Sequence, residues 1–189
     1  MYAELLFFLL KIYPTNSSVI TLTVVESPYE TWINGYAGIP VDKRGPTDDA
    51  DGDGCANVFE FAHNGDPTDP SDKGLLAWLI QDASAPAGEE FTLVAAMRNG
   101  AVFSAGPDGV QSASVDGITS TVEGSVDLVA FPGSPVSHVG GPSGTAPPVT
   151  GLPDLTSAAW KYHTFKLDAS EGLPNRGFMR TKAAINTVP

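Results

Sequence analysis

A single cysteine, Cys55, stands among 189 residues. It can form no internal disulfide, and a cysteine-ligated zinc site is excluded. Basic residues are also few: 10 lysines and arginines face 22 aspartates and glutamates, for a net charge of -12. Such a chain is repelled by phosphate backbones and anionic lipid, which argues against nucleic-acid or membrane-surface partners. The three histidines, His63, His138 and His163, show no paired metal spacing, and no serine lies in a Gly-x-Ser-x-Gly elbow. The expectation is a chain without a catalytic centre. No apolar run approaches the twenty or so residues that a membrane-spanning helix needs.

Glycine and proline, by contrast, are plentiful at 20 and 16 residues. That abundance favours short strands joined by turns over a helical bundle. The most specific chemistry lies in Asp49 to Glu60, which reads Asp-Ala-Asp-Gly-Asp-Gly-Cys-Ala-Asn-Val-Phe-Glu. It matches the acidic calcium loop Asp-x-Asp-x-Asp-Gly with a Glu after five further residues. In that reading Asp49, Asp51 and Asp53 supply hard oxygen ligands and Gly54 makes the sharp turn. Cys55 offers its backbone carbonyl, Asn57 binds directly or through a water, and Glu60 closes the shell with both carboxylate oxygens. Asp and Gly also dominate ordinary turns, but four carboxylates converging without a cation would repel one another. The expected cofactor is therefore Ca2+. Weak sites of this kind are filled by the millimolar calcium outside cells, so the expected location is the extracellular space or the cell surface.

Three regions follow from the order of signals. Residues 1–26 contain the apolar run Leu5 to Leu10 and a β-branched stretch, Val19 to Val25. The run has no basic residues before it and no small-x-small pattern after it, so a remnant of an upstream β domain is preferred over a leader peptide. Residues 27–73 open with Ser27-Pro28-Tyr29-Glu30, a capping box with Pro at the first helical position. Tyr29, Trp32, Ile33 and Tyr36 follow at helical spacing as an apolar stripe. From Ala37 to Asp48 the glycines and prolines forbid a continuous helix, so only an exiting helix, roughly Cys55 to His63, flanks the loop, with Asn64-Gly65 as its stop. Asp66, Asp69 and Asp72 recur at intervals of three in a proline-stiffened turn, which suits either a second metal or a rigid linker.

Residues 74–189 read as β structure. Strands are expected at Leu75–Ile80, Phe91–Met97, Ala101–Ser104, Ile118–Glu123, Val126–Phe131, Ser137–Val139, Trp160–Leu167 and Gly177–Ala183. Asn99-Gly100, Asp108-Gly109 and Asp116-Gly117 supply turns. The aromatics of Trp160–Leu167 change parity along the strand, which suggests a bulge near Thr164. The fold class is mainly β, a small antiparallel β-sandwich preceded by two short helices and one EF-hand-like calcium loop.

Taken together, Trp32, Asp49 to Glu60, Asn57-Val58-Phe59-Glu60-Phe61, Asp66 to Asp69, Glu123-Gly124-Ser125-Val126-Asp127-Leu128, Trp160 to Phe165 and Gly172 to Phe178 resemble a recurrent C-terminal module of large secreted or surface-exposed bacterial proteins. The resemblance covers roughly Ser27 to Ala183, with Phe131 where a Trp is common. It implies a noncatalytic, calcium-stabilised structural or interaction module of a larger protein outside the cell. The loop is also similar to single thrombospondin type-3 and dockerin repeats, although dockerins carry two such segments in tandem. The alternative is a carbohydrate-binding module of a secreted enzyme or adhesin, with Trp78, Trp160 and Tyr162 as the platform for a polysaccharide. Another surface protein is the remaining partner class.

Overall fold

The computed structural model describes residues 25–82, 89–140, 151–167 and 177–186. The expected β-branched strand at Val19 to Val25 lies outside them except for Val25, as does Leu5 to Leu10. Two helices come first, α1 (Pro28–Asn34) and α2 (Asn57–His63). Among the described residues eight strands follow: β1 (Leu76–Asp82), β2 (Glu89–Arg98), β3 (Ser104–Ala105), β4 (Gln111–Val115), β5 (Ile118–Ser125), β6 (Val136–Gly140), β7 (Trp160–Leu167) and β8 (Phe178–Ile185). They form two antiparallel four-stranded sheets, ordered β1-β2-β7-β6 and β3-β4-β5-β8, that pack together as a sandwich.

The capping box forms as its residues require: Ser27 Oγ accepts from the Glu30 backbone N–H, and the Glu30 carboxylate accepts from that of Ser27. Two orphan donors at the start of a seven-residue helix are thereby satisfied. At the end of α2, Asn64 takes a left-handed φ of 59°, the conformation asparagine tolerates best after glycine.

The sandwich core is built by Leu93, Ala95 and Met97 of β2, Phe165 and Leu167 of β7, Val136, Val122 and Met179, with Phe91 packed against them. Gly124 of β5 is packed closely against Leu167 and Val136 of the opposite sheet. A Cβ there would meet Leu167 and lie 2.7 Å from the Ser134 carbonyl oxygen. A second apolar cluster unites α1, α2 and the β3-β4-β5-β8 sheet through Tyr29, Ile33, Ile39, Val58, Phe61, Ala62 and Ile118, with Ala183 against it. Phe61 is fully buried, with the Tyr29 ring edge-on at 5.5 Å and the Arg98 guanidinium 4.3 Å over its face.

Three expectations change. Val126 to Phe131 is a turn and not a strand: Ser125 Oγ accepts from the Asp127 and Leu128 N–H groups, and the Asp127 carboxylate accepts from Val129 and Ala130. Donors that a strand would give a neighbour are consumed locally. The strand at Ala101–Ser104 shrinks to Ser104–Ala105, while Gln111–Val115, short of large apolar residues, becomes a strand because β3 and β5 flank it. Its hairpin to β5 turns through Asp116-Gly117, both at positive φ, as the dipeptide predicts. Finally, β7 pairs with β2 without interruption from Trp160 to Lys166. The irregularity lies on the partner strand, between His138 and Gly140, opposite Phe165 and Thr164. The parity change in β7 reflects two cores: Phe165 and Leu167 face the sandwich, and Trp160 faces the helices.

Candidate metal centre

With no helix running into it, the loop needs another support, and Asn57 provides it. Its amide nitrogen donates to the carbonyls of Lys43 and Gly45, both at 2.9 Å, and its Oδ1 accepts from the Ala50 N–H at 3.2 Å. The backbone N–H of Asn57 reaches the Asp48 carbonyl and that of Val58 reaches Pro46. Tyr29 ties this segment to α1 by donating from its hydroxyl to the Arg44 carbonyl. Asn57, expected as a direct or water-mediated ligand, is thus engaged with protein groups at the root of the loop. The side chain is fully buried, and its donors and acceptor hold the two sides of the loop together.

Inside that frame the aspartates bend the chain. Asp49 accepts backbone N–H groups from Gly52 and Asp53 on Oδ1 and from Gly54 on Oδ2, and these bonds hold its carboxyl below the usual range. Asp51 Oδ1 accepts from Asp53, and Asp53 Oδ1 accepts from the Cys55 N–H at 2.6 Å. Gly52 and Gly54, at φ of 83° and 91°, occupy the left-handed conformations this winding demands. One oxygen from each of Asp49, Asp51 and Asp53 comes within 4.8 Å of the other two, so the triad could hold a metal ion.

Glu60, in the first turn of α2, is completely buried; it lies outside the Asp49–Asp51–Asp53 group, near enough for the charges of those aspartates to act on it. Both of its carboxylate oxygens lack a hydrogen-bond partner, as do Asp51 Oδ2 and Asp53 Oδ2. Burial, and then the charges of Asp51, Asp53 and Asp49, push the Glu60 carboxyl up to about 8. Burial, and then the charges of Asp53 and Asp49, raise Asp51. Buried acceptors without partners are costly, and more so when charged. An all-oxygen donor set of this kind suits hard cations such as calcium, magnesium or manganese.

Cys55 lies in the loop with its thiol raised, first by burial and then by Asp53, which removes thiolate character. Asp66, Asp69 and Asp72 are not gathered into a second group among the described residues. Each closes its own turn: Asp66 accepts from Thr68, Asp69 from Ser71 and Asp72 from Gly74. The rigid-linker reading of this segment describes these contacts.

The aromatic platform does not assemble around Trp160. That indole is 8% exposed, donates its Nε1–H to the Phe61 carbonyl and lies under the Arg98 guanidinium at 4.6 Å. Its remaining surface borders Trp32 and Arg98. Tyr162 is half-buried and donates its hydroxyl to the Pro153 carbonyl. The backbone of Trp78 pairs with Leu93 in β1, and its side chain lies outside the described ones. Sequence spacing also hid two histidine arrangements. His138 Nε2 and His163 Nδ1, 25 residues apart, meet at 3.0 Å across β6 and β7 beside Phe103. His63 is buried with Nδ1 2.8 Å from the Ala96 carbonyl. No protein-family model, curated protein or solved structure matches this chain.

Proposed function

We propose that the chain is a calcium-stabilised, noncatalytic module that works outside the cell as a structural or interaction element of a larger protein. The observation that carries the reading is the set of four carboxylate oxygens, on Asp51, Asp53 and Glu60, that are buried without a hydrogen-bond partner beside the Asp49–Asp51–Asp53 group. Calcium is preferred over magnesium because the loop spacing offers a bidentate glutamate, whereas magnesium demands a compact octahedron and keeps its waters.

The mechanical consequence follows from where the ligands sit. Asp49, Asp51 and Asp53 lie on the loop and Glu60 on α2, whose Phe61 and Ala62 are buried in the cluster that includes Ile118 of β5. A bound ion therefore braces loop, helix and sandwich at one point, a staple in a chain with a single cysteine. With a dissociation constant of about 0.1 to 1 mM and about 1 mM calcium, linkage supplies roughly 0.4 to 1.4 kcal/mol. Thermal melting with calcium and with chelator tests the reading. Calcium is expected to raise the midpoint, and Asp51→Ala to abolish most of that rise. Superimposable wild-type curves in the two conditions would refute it.

A further inference from the structure

Lys73 belongs to the turn segment after α2, and its backbone is fixed from both sides. The Asp66 N–H bonds to the Asp72 carbonyl and the Leu75 N–H to the His63 carbonyl. Gly74, at φ of 105°, lies so close to His63 that a Cβ would fall 3.0 Å from the His63 carbonyl oxygen. From this frame the ammonium reaches the metal loop, donating to the backbone carbonyl of Asp53 and lying 3.5 Å from Asp53 Oδ2. Asp53 is the one loop carboxylate with an ion-pair partner among the described contacts, and its Oδ2 is one of the four unbonded oxygens. The Asp53 side chain is 1% exposed and that of Lys73 52%, so the oxygen is enclosed while the ammonium has an open path to water.

We propose that Lys73 is a tethered competitor for the cation site, weakening divalent-ion binding by claiming Asp53 Oδ2 and by placing a like charge beside the ion. The inference rests on the calcium reading of the loop. When a divalent cation takes Asp53 Oδ2, the ammonium swings outward and the 66–73 turn loses its link to the loop. Lys73 in this way holds the affinity in the weak range, where occupancy follows the calcium concentration outside cells. An exposed ammonium a few ångströms from a divalent ion, screened by water and salt, weakens binding by roughly three- to tenfold.

Isothermal calcium titration of the full chain, compared with Lys73→Gln and Lys73→Arg, tests this. Lys73→Gln is expected to bind calcium about three- to tenfold more tightly, and Lys73→Arg to stay within about twofold of wild type, because the charge is kept. Since Lys73 is half exposed, far-UV circular dichroism is expected to be unchanged in both variants. Wild type and Lys73→Gln binding with equal affinity, or Lys73→Gln binding more weakly, overturns the role of Lys73 and leaves the calcium site standing. No binding by any of the three chains overturns the calcium reading itself and this inference with it.

Discussion

Replacing Asn57 with alanine separates a loop clamp from a metal ligand. The change removes three hydrogen bonds, to the Lys43 and Gly45 carbonyls and from the Ala50 N–H, at a side chain with no solvent exposure. At about 1 kcal/mol net for each bond, with a further penalty where a backbone group stays buried and unpaired, the loss is about 2–4 kcal/mol. For a chain of this length that lowers the melting midpoint by roughly 5–15 °C. The discriminating feature is the condition in which the loss appears. A clamp acts between protein groups, so Asn57→Ala is expected to lose most of this stability in chelator as well as in calcium. A ligand acts through the ion, and its removal would cost stability only when calcium is present. Urea unfolding of wild type and Asn57→Ala in both conditions forms a closed thermodynamic cycle. Equal midpoints in chelator, with a difference confined to calcium, would refute the clamp and restore Asn57 to the coordination shell.

Two further expectations concern the body of the fold. Gly124→Ala drives a methyl group into Leu167 and the Ser134 carbonyl, and a loss of about 1–3 kcal/mol is expected in chemical denaturation; unchanged stability would show that the sheets can part there without cost. The second is acid sensitivity from His63 and His163, both lowered from 6.5 to about 4, by burial in each case and for His163 also by His138 and Lys161. The unfolded chain takes up these protons first, so their contribution is complete above pH 6.5 and declines as pH falls towards 4. Glu60, raised to about 8, works in the opposite sense between 8 and 4.5, so the histidine slope is best read in a Glu60→Gln background. Imidazole signals titrating near 6.5 in the folded chain would contradict the assignment.

Much of this molecule is legible where the physics is local. The capping box at Ser27, the stop at Asn64, the Asp116-Gly117 hairpin and the spacing of Asp49, Asp51 and Asp53 each involve groups a few residues apart. Their geometry is set by backbone preferences that tertiary contacts leave intact. The apolar run Phe91–Met97 likewise located β2, whose Leu93, Ala95 and Met97 enter the sandwich core. The same rule misled at Trp160–Leu167, where the strand serves a core on each face, and at Val126–Phe131, where Ser125 and Asp127 capture the backbone donors.

Composition, turn chemistry and the acidic spacing therefore determined by themselves a mainly β chain with two short helices and one acidic loop. Only the tertiary structure decided what the surrounding side chains do. Asn57 can clamp because the Lys43–Gly45 turn folds back against the start of α2, and Trp160 is enclosed because Phe61 and Arg98 arrive from distant segments. Lys73 reaches Asp53 across twenty residues because the turn after α2 is pinned to His63. Such contacts depend on which segments the two cores bring together. That choice belongs to packing of the whole chain, and no spacing along the sequence encodes it.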